Sequence, residues 1–377
     1  MKNRVRKLAV LGSTGSIGCQ TLDIVRSFRD RFEITALAAG NNVKVFASQI
    51  AEFNPSLIFC NDSQSVRGAG HYVPMEEMAS HPDVDMVIIA TTGKAGLQPT
   101  LAAIKAGKTV AIANKEILVM AGEIITALAS QSKATILPID SEHSAIWQCL
   151  RGEDDEMRRL LLTASGGPFF GQPQEKLASV TVRQALNHPT WKMGKKVTID
   201  SATLFNKGME AIEARWLFDI PYDKIEIIIH RQSIIHSMVE FVDSSVKAQL
   251  SIPDMRLPIQ YALFYPERIK NDSLTCIDFS RLSNLTFEPV DYNSFPCLRL
   301  ALEAARRGGT YPAVLCAADE IAVQLFLDNK IRFTDIAPVI ETVLGLHRPP
   351  HGAGLEEITA ADAWSRETAL RAARKGI

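Results

Sequence analysis

The stretch Leu8-Ala9-Val10-Leu11-Gly12-Ser13-Thr14-Gly15-Ser16-Ile17-Gly18 decides the architecture of the first third of the chain. Four apolar residues run without interruption, as in a strand buried on both faces. Three glycines at the spacing G-x-x-G-x-x-G follow, and residues 21–28 then show helical periodicity. A glycine turn between a first strand and a first helix lets the backbone approach a pyrophosphate, which the helix N-terminus then holds. The spacing is not G-x-G-x-x-G, so the motif draws its weight from its place between strand and helix; elsewhere an ordinary turn would be the better reading. Gly12, Ser13, Thr14, Gly15, Ser16 and Ile17 are candidate cofactor contacts.

Outward from this loop, apolar runs at 34–38, 57–60, 86–90, 109–113 and 135–139 alternate with helical stretches at 43–53, 97–106 and 122–131. The alternation predicts an α/β, doubly wound parallel sheet (Rossmann-like) over residues 1–140. An NAD site usually shows an acid ~20 positions past the loop, to bind the ribose 2′-hydroxyl. Here the second strand ends in Ala38-Ala39-Gly40-Asn41-Asn42, with no acid between Glu33 and Glu52. Nothing repels a 2′-phosphate, which favours NADPH and adds Gly40 and Asn42 to the cofactor candidates.

The pattern then changes. Residues 160–164, 225–229, 237–242 and 246–252 read as strands, and 201–218 as one helix, predicting a central α+β catalytic domain over 141–264. Pro258, Pro266 and polar turn residues mark 257–286 as a connecting segment, with a linker placed at 265–290. Ala-rich periodic stretches at 297–306, 313–327, 335–345 and 360–374 predict a C-terminal helical bundle over 291–377.

A chain of 377 residues is too long for one core. Its 46% hydrophobic and 22% charged content excludes a disordered chain. A net charge of -1 leaves no global attraction to nucleic acid or an anionic membrane, so a local cluster must hold any anionic ligand. The six cysteines form no C-x-x-C pair, which argues against zinc and for reduced thiols. No apolar run approaches the ~18–20 residues that span a bilayer. The basic lead Lys2, Arg4, Arg6 is too short for a signal peptide, so a cytoplasmic location is expected.

Asp140 and Glu142 lie two apart at the carboxyl end of a strand, where doubly wound sheets place ligands. An isolated D-x-E is more often a helix cap beside a surface acid. With a third acid downstream it becomes an all-oxygen donor set suited to Mg²⁺ or Mn²⁺. Glu210 and Glu213 share a helix face, and Glu213 can instead pair with Lys207 or Arg215 in a solvated stripe; spacing does not choose between them. His143 reads as a support of the cluster rather than a ligand. Lys115, after another buried strand, can orient a substrate hydroxyl or carbonyl, or be a plain loop lysine. Ser165 in a glycine turn, and Ser201 as cap of a helix carrying Asn206 and Lys207, together suggest a phosphate pocket. The run His188-Pro189-Thr190-Trp191-Lys192-Met193-Gly194-Lys195-Lys196 reads as a lid near 186–196 that closes on an anion; a solvated basic loop is the plainer alternative.

Taken in order, the motifs at 12–18, 113–116, 138–144, 165–169, 188–194, 200–215 and 229–256 resemble the 1-deoxy-D-xylulose 5-phosphate reductoisomerase family over nearly the whole chain. The resemblance implies an NADPH- and Mg²⁺- or Mn²⁺-dependent oxidoreductase. Its reaction isomerises and reduces 1-deoxy-D-xylulose 5-phosphate to 2-C-methyl-D-erythritol 4-phosphate in non-mevalonate isoprenoid synthesis. It also implies a homodimer with strands near 225–252 at the interface. Asp140, Glu142 and Glu210 match the metal ligands, which selects Glu210 over Glu213. Ser165, Ser201, Asn206 and Lys207 match phosphate positions, and Lys115, Ser141 and His188 match contacts to the substrate backbone and hydroxyls. Trp191 and Met193 match the lid, and Met255 a residue near the nicotinamide. Asn114, Glu116, Met193 and Gly194 are further cofactor candidates. Asn41, Arg231, Ile117 and the run Thr91-Thr92-Gly93-Lys94 depart from the family pattern, and none removes a metal ligand. Two other classes fit less well. A semialdehyde-dehydrogenase-like enzyme would want a cysteine in a glycine turn, and a non-catalytic NADP sensor would not need the carboxylates, Lys115 and the phosphate pocket together.

Overall fold

The computed structural model describes residues 5–62, 64, 70–153 and 157–374; Lys2 and Arg4 of the basic lead lie outside them. The chain forms two compact units, one from residues 1–117, 123–144 and 254–275, the other from 118–122, 145–253 and 276–377.

In the first unit, strands β1 (Arg6–Leu11), β2 (Phe32–Ala38), β3 (Leu57–Phe59), β4 (His71–Tyr72), β5 (Met86–Ile89), β6 (Thr109–Ile112) and β7 (Thr135–Pro138) form one sheet. Its order is β4-β3-β2-β1-β5-β6-β7, and every neighbouring pair is parallel. Parallel strands need crossovers, which the helices Ser16–Ser27, Val43–Phe53 and Leu97–Lys105 supply. Residues 8–11 and 86–89 are fully buried, as a strand covered on both faces requires. The order reverses between β1 and β5, the switch point beside which such sheets bind ligands.

Two features differ from the sequence-based expectation. The helix predicted at 122–131 is preceded by a further helical stretch that starts at Lys115, where Asn114 caps it by accepting the Ile117 N–H at 3.3 Å; the two meet at a kink at Ala121, whose φ of -138° and ψ of 25° are not helical. The expected connecting segment contains the helix Arg256–Phe264, in which Pro258 occupies the first turn and interrupts no hydrogen bond. Its Phe264 ring meets Phe28 and Phe32 edge-on at 4.9 and 4.8 Å, with Arg31 over its face. This packing places 254–264 in the first unit rather than a central domain, and 276–290 joins the second unit rather than standing apart as a linker.

The second unit holds a mixed sheet of β8 (Met157–Ala164), β9 (Ile225–Ile229), β10 (Ile235–Phe241), β11 (Val246–Leu250) and β12 (Glu288–Pro289), in the order β11-β10-β8-β9-β12. Only β8 and β9 run parallel. The single helix predicted at 201–218 is two, Lys195–Ala202 and Phe205–Leu217, because Leu204 between them takes the left-handed conformation at φ 56°. Leu160, Leu162, Ile227, Ile229 and Val239 of the sheet pack with Leu204, Ala211, Ala214 and Leu298 into one core. Helices Pro296–Arg307, Tyr311–Leu327, Ile336–Leu346 and Leu355–Arg374 form the expected C-terminal bundle. Among the described residues no helix is long and apolar enough to cross a membrane.

Gly12 sits at φ +95°, and a Cβ there would lie 2.3 Å from the Ala90 carbonyl oxygen, a backbone atom that cannot swing aside. Gly12→Ala is expected to destabilise the protein by roughly 3 kcal/mol, combining strain and overpacking. Denaturant unfolding checks this; an unchanged midpoint would contradict the geometry of the loop.

Candidate active site

In the first unit the candidate residues collect at the carboxyl ends of the parallel strands. Gly12 to Ile17 follow β1, Gly40 and Asn42 follow β2, Asn114 to Glu116 follow β6, and Asp140 to Glu142 follow β7. Gly15 is the N-cap of Ser16–Ser27, with no side-chain cap and no acid in the first turn, so this helix end suits an anion. Ser13 is fully buried: its hydroxyl donates to Gln49 at 2.8 Å, and the Gln49 amide returns a bond to the Ser13 carbonyl. It braces the loop from behind. Asn42 caps Val43–Phe53, and Asn61 donates to the Asn41 side chain at 2.8 Å. Asn114 donates to the Gly93 carbonyl and the Thr91 hydroxyl, tying the ends of β5 and β6 together.

Lys115 is the first residue of its helix rather than a loop lysine, and its ammonium lies 2.6 Å from Asp140. His143, fully buried, has Nδ1 at 3.7 Å from the same carboxylate. Ser141 donates to Glu142 at 2.5 Å. Met255 is the N-cap of Arg256–Phe264 in this unit.

In the second unit, Ser165 follows β8 in a turn closed by Gly166 and Gly167. Gly167 is at φ +66°, and a Cβ on it would meet the Ser201 carbonyl at 2.6 Å, so only glycine lets the turn approach that helix. His188 lies between the two serines, with Nε2 3.0 Å from Ser165 Oγ and 3.0 Å from Ser201 Oγ. Its Nδ1 accepts the backbone N–H groups of Thr190 at 3.2 Å and Trp191 at 3.0 Å. A ring nitrogen that accepts carries no hydrogen, so the neutral ring bears its hydrogen on Nε2, facing the serines. Ser165 Oγ also accepts the Gly167 N–H at 3.2 Å. With their oxygens accepting, the hydroxyls can turn their hydrogens toward an anion. Burial pushes the His188 pKa down to about 4, so the ring is neutral at pH 7.

Ser201 does not cap the helix that carries Asn206 and Lys207. It ends the preceding one, and Leu204 is the N-cap, without a side-chain cap bond. On the first turns of Phe205–Leu217, Asn206 donates to Glu210 at 2.6 Å and the Lys207 ammonium contacts the other Glu210 oxygen. Glu213 is not in a solvated stripe: it is fully buried, and Arg215 pairs instead with Asp219 at 2.7 Å. In the coil that ends at Gly194, the N-cap of Lys195–Ala202, Trp191 and Met193 are half-buried. The Trp191 ring lies 5.8 Å from that of His236. Sequence reasoning missed Gln49 behind the glycine loop, and it read Lys196 as the end of the lid run, whereas Lys196 lies in the helix Lys195–Ala202 and contacts Asp200 and Asp319. The spacing of Lys196 and Asp200, one helical turn apart, was the available signal for the contact with Asp200.

A nucleotide-type loop at a switch point, with carboxylates at strand ends and a serine–histidine pocket, defines an NADP-dependent oxidoreductase of the doubly wound class. Three family models match: 1-deoxy-D-xylulose 5-phosphate reductoisomerase over residues 8–122 and its C-terminal domain models over 136–218 and 250–368. The chain belongs to the 1-deoxy-D-xylulose 5-phosphate reductoisomerase family. It is 53% identical to the reductoisomerase of Caldanaerobacter subterraneus subsp. tengcongensis, covering 97% of this chain and 99% of that protein. It is 50% identical to that of Pelotomaculum thermopropionicum, covering 98% and 99%. A crystal structure of DOX-P reductoisomerase in complex with NADPH, fosmidomycin and magnesium is 41% identical, with a TM-score of 0.93 over 98% of each chain. The Zymomonas mobilis enzyme in complex with NADPH is 42% identical, with a TM-score of 0.90 over 98% of this chain and 99% of that one.

The histidine supplies a pH prediction. Its folded pKa of about 4 lies below the ordinary 6.5, so between these values the unfolded chain binds a proton that the folded chain does not. The contribution of His188 is present above pH 6.5 and is lost as pH falls toward 4. Equilibrium unfolding across this window should show a slope that His188→Gln reduces by up to one proton; an identical slope in the variant would show that His188 is not held neutral.

Proposed function

We propose that the chain isomerises and reduces 1-deoxy-D-xylulose 5-phosphate to 2-C-methyl-D-erythritol 4-phosphate with NADPH and Mg²⁺ or Mn²⁺. The observation that carries this is the Ser165–His188–Ser201 pocket with Asn206 and Lys207, in a chain that family models match over residues 8–122, 136–218 and 250–368.

Asp140, Glu142 and Glu210 would hold the cation. The fit rests on donor chemistry: all three offer carboxylate oxygen, the ligand of a hard divalent ion. Two of them already sit beside a lysine ammonium, Lys115 at Asp140 and Lys207 at Glu210. The uncapped end at Gly15 and the acid-free stretch at Gly40 and Asn42 suit the pyrophosphate and 2′-phosphate of NADPH. When bound, the metal supplies Lewis acidity at adjacent substrate oxygens and NADPH supplies hydride. The chain's own residues do the rest. Ser165, Ser201, Asn206 and Lys207 hold the phosphate, with neutral His188 directing the serine hydroxyls. Lys115 and Ser141 orient substrate oxygens. Trp191 and Met193, in the coil before Lys195–Ala202, cover the substrate and exclude water. Phosphate binding remote from the reacting carbons then contributes to positioning them. Glu116, Asn114, Gly194 and Met255 complete the cofactor side.

We assign the protein to the cytoplasm as a homodimer. The edge strand β11 and the hairpin before it expose Val246 and Val242, an apolar edge suited to a second copy.

Following NADPH absorbance after adding 1-deoxy-D-xylulose 5-phosphate tests the proposal: oxidation is expected with Mg²⁺ or Mn²⁺ and should cease with EDTA. Glu210→Gln should lower turnover about 100-fold or more while NADPH affinity stays unchanged; near-normal turnover would remove Glu210 from the ligand set.

A further inference from the structure

Within the second unit three ionisable side chains meet, with Lys196 at the partly exposed edge of the group. Lys196 and Asp200 lie one turn apart on Lys195–Ala202, and Asp319 comes from Tyr311–Leu327 in the C-terminal bundle. The Lys196 ammonium is 2.5 Å from Asp200 and 2.7 Å from Asp319. Both aspartates are fully buried. The same ammonium lies 5.2 Å from the centroid of the Phe205 ring. Its contacts therefore adjoin both halves of the phosphate pocket: Asp200 precedes Ser201, and Phe205 precedes Asn206 and Lys207. Between them the chain turns through Leu204 in its left-handed conformation, a joint that local sequence does not favour.

We propose that Asp319 is a positioning residue for the phosphate pocket: through Lys196 it fixes the last turn of Lys195–Ala202 and the first of Phe205–Leu217, and so the spacing of Ser201 from Asn206 and Lys207. Resting on the assignment of these residues to the phosphate, this gives the C-terminal bundle a part in substrate binding. One ammonium cannot neutralise two buried carboxylates, and the charge supports the same geometry. Burial pushes the Asp319 pKa up, against the lowering effect of Lys196 and of a hydrogen bond with Asp200; Glu320 adds to the rise, and Cys297 faces the same pair. The rise favours a proton on the aspartate pair, which offsets the second carboxylate charge.

The test uses the full-length enzyme, with Asp319→Ala, Asp319→Asn and, as a control on the pocket, Ser201→Ala. For each, KM for the sugar phosphate, kcat, NADPH affinity, melting temperature and the inhibition constant of inorganic phosphate are measured. Asp319→Ala is expected to raise KM and the phosphate inhibition constant together by about tenfold, with NADPH affinity unchanged. Asp319→Asn keeps the shape and hydrogen bonds of the protonated acid, and should restore both to within about threefold of wild type. A lowered melting temperature with unchanged KM and phosphate inhibition would overturn the proposal, leaving Asp319 a structural residue. Should Asp319→Ala fail to fold, Lys196→Met decides by the same two constants: raised together they support the proposal, and unchanged they overturn it. If Ser201→Ala raises both constants and the Asp319 variants do not, positioning alone fails. If Ser201→Ala changes neither, the pocket assignment fails, and the proposal with it.

Discussion

Charges taken out of water set the terms for this molecule. Lys115 with Asp140, Lys207 with Glu210, and the partly exposed Lys196 with Asp200 and Asp319 are ionic contacts whose carboxylates are buried or nearly so. An unpaired ion in such a place costs several kcal/mol, and removing one partner of a buried pair costs about 3–5 kcal/mol. Hydrophobic packing of similar volume would often be at least as stable, so stability does not account for these groups. Under the proposed function, the carboxylates serve a hard cation and the Lys207 ammonium a phosphate, and the lysines offset the carboxylate charge.

Backbone geometry delivers these side chains with little dependence on flexible loops. In the first unit they follow β1, β2, β6 and β7, where a parallel sheet directs the ends of its strands to one edge. The second unit uses a different device. Ser165 leaves β8 through two left-handed glycines, and Ser201 is separated from Asn206 by a left-handed leucine. Each reversal is short, and each is held by contacts on both sides. His188 joins the two segments through one nitrogen and reads its own loop through the other, so its tautomer follows from the backbone around it.

The two units differ in how far sequence anticipates them. Alternating strands and helices at 8–139 were legible because a doubly covered strand needs a continuous apolar run, and that run is local. The four helices of the bundle were legible for the same reason: helical periodicity and Gly or Pro punctuation lie within a few turns. Asp140 and Glu142 were visible as a pair, but spacing alone left Glu210 and Glu213 equivalent. Family resemblance chose Glu210, and burial removed the solvated role considered for Glu213.

What the sequence by itself determined is therefore what short-range rules govern: the strands and helices, the glycine loop, the residue types of a metal and phosphate site, and the family. What only the tertiary structure decided depends on partners far along the chain. The helix Arg256–Phe264 looked like a connector until Phe264 was seen against Phe28 and Phe32. Ser201 looked like a cap until Leu204 was seen to reverse the chain. Asp319 carried no signal at all, because its meaning lies in Lys196 and Asp200, which approach it only when the bundle packs onto their helix. Local propensity acts over one or two turns, whereas burial and charge pairing are settled by whichever surfaces the folded chain brings into contact.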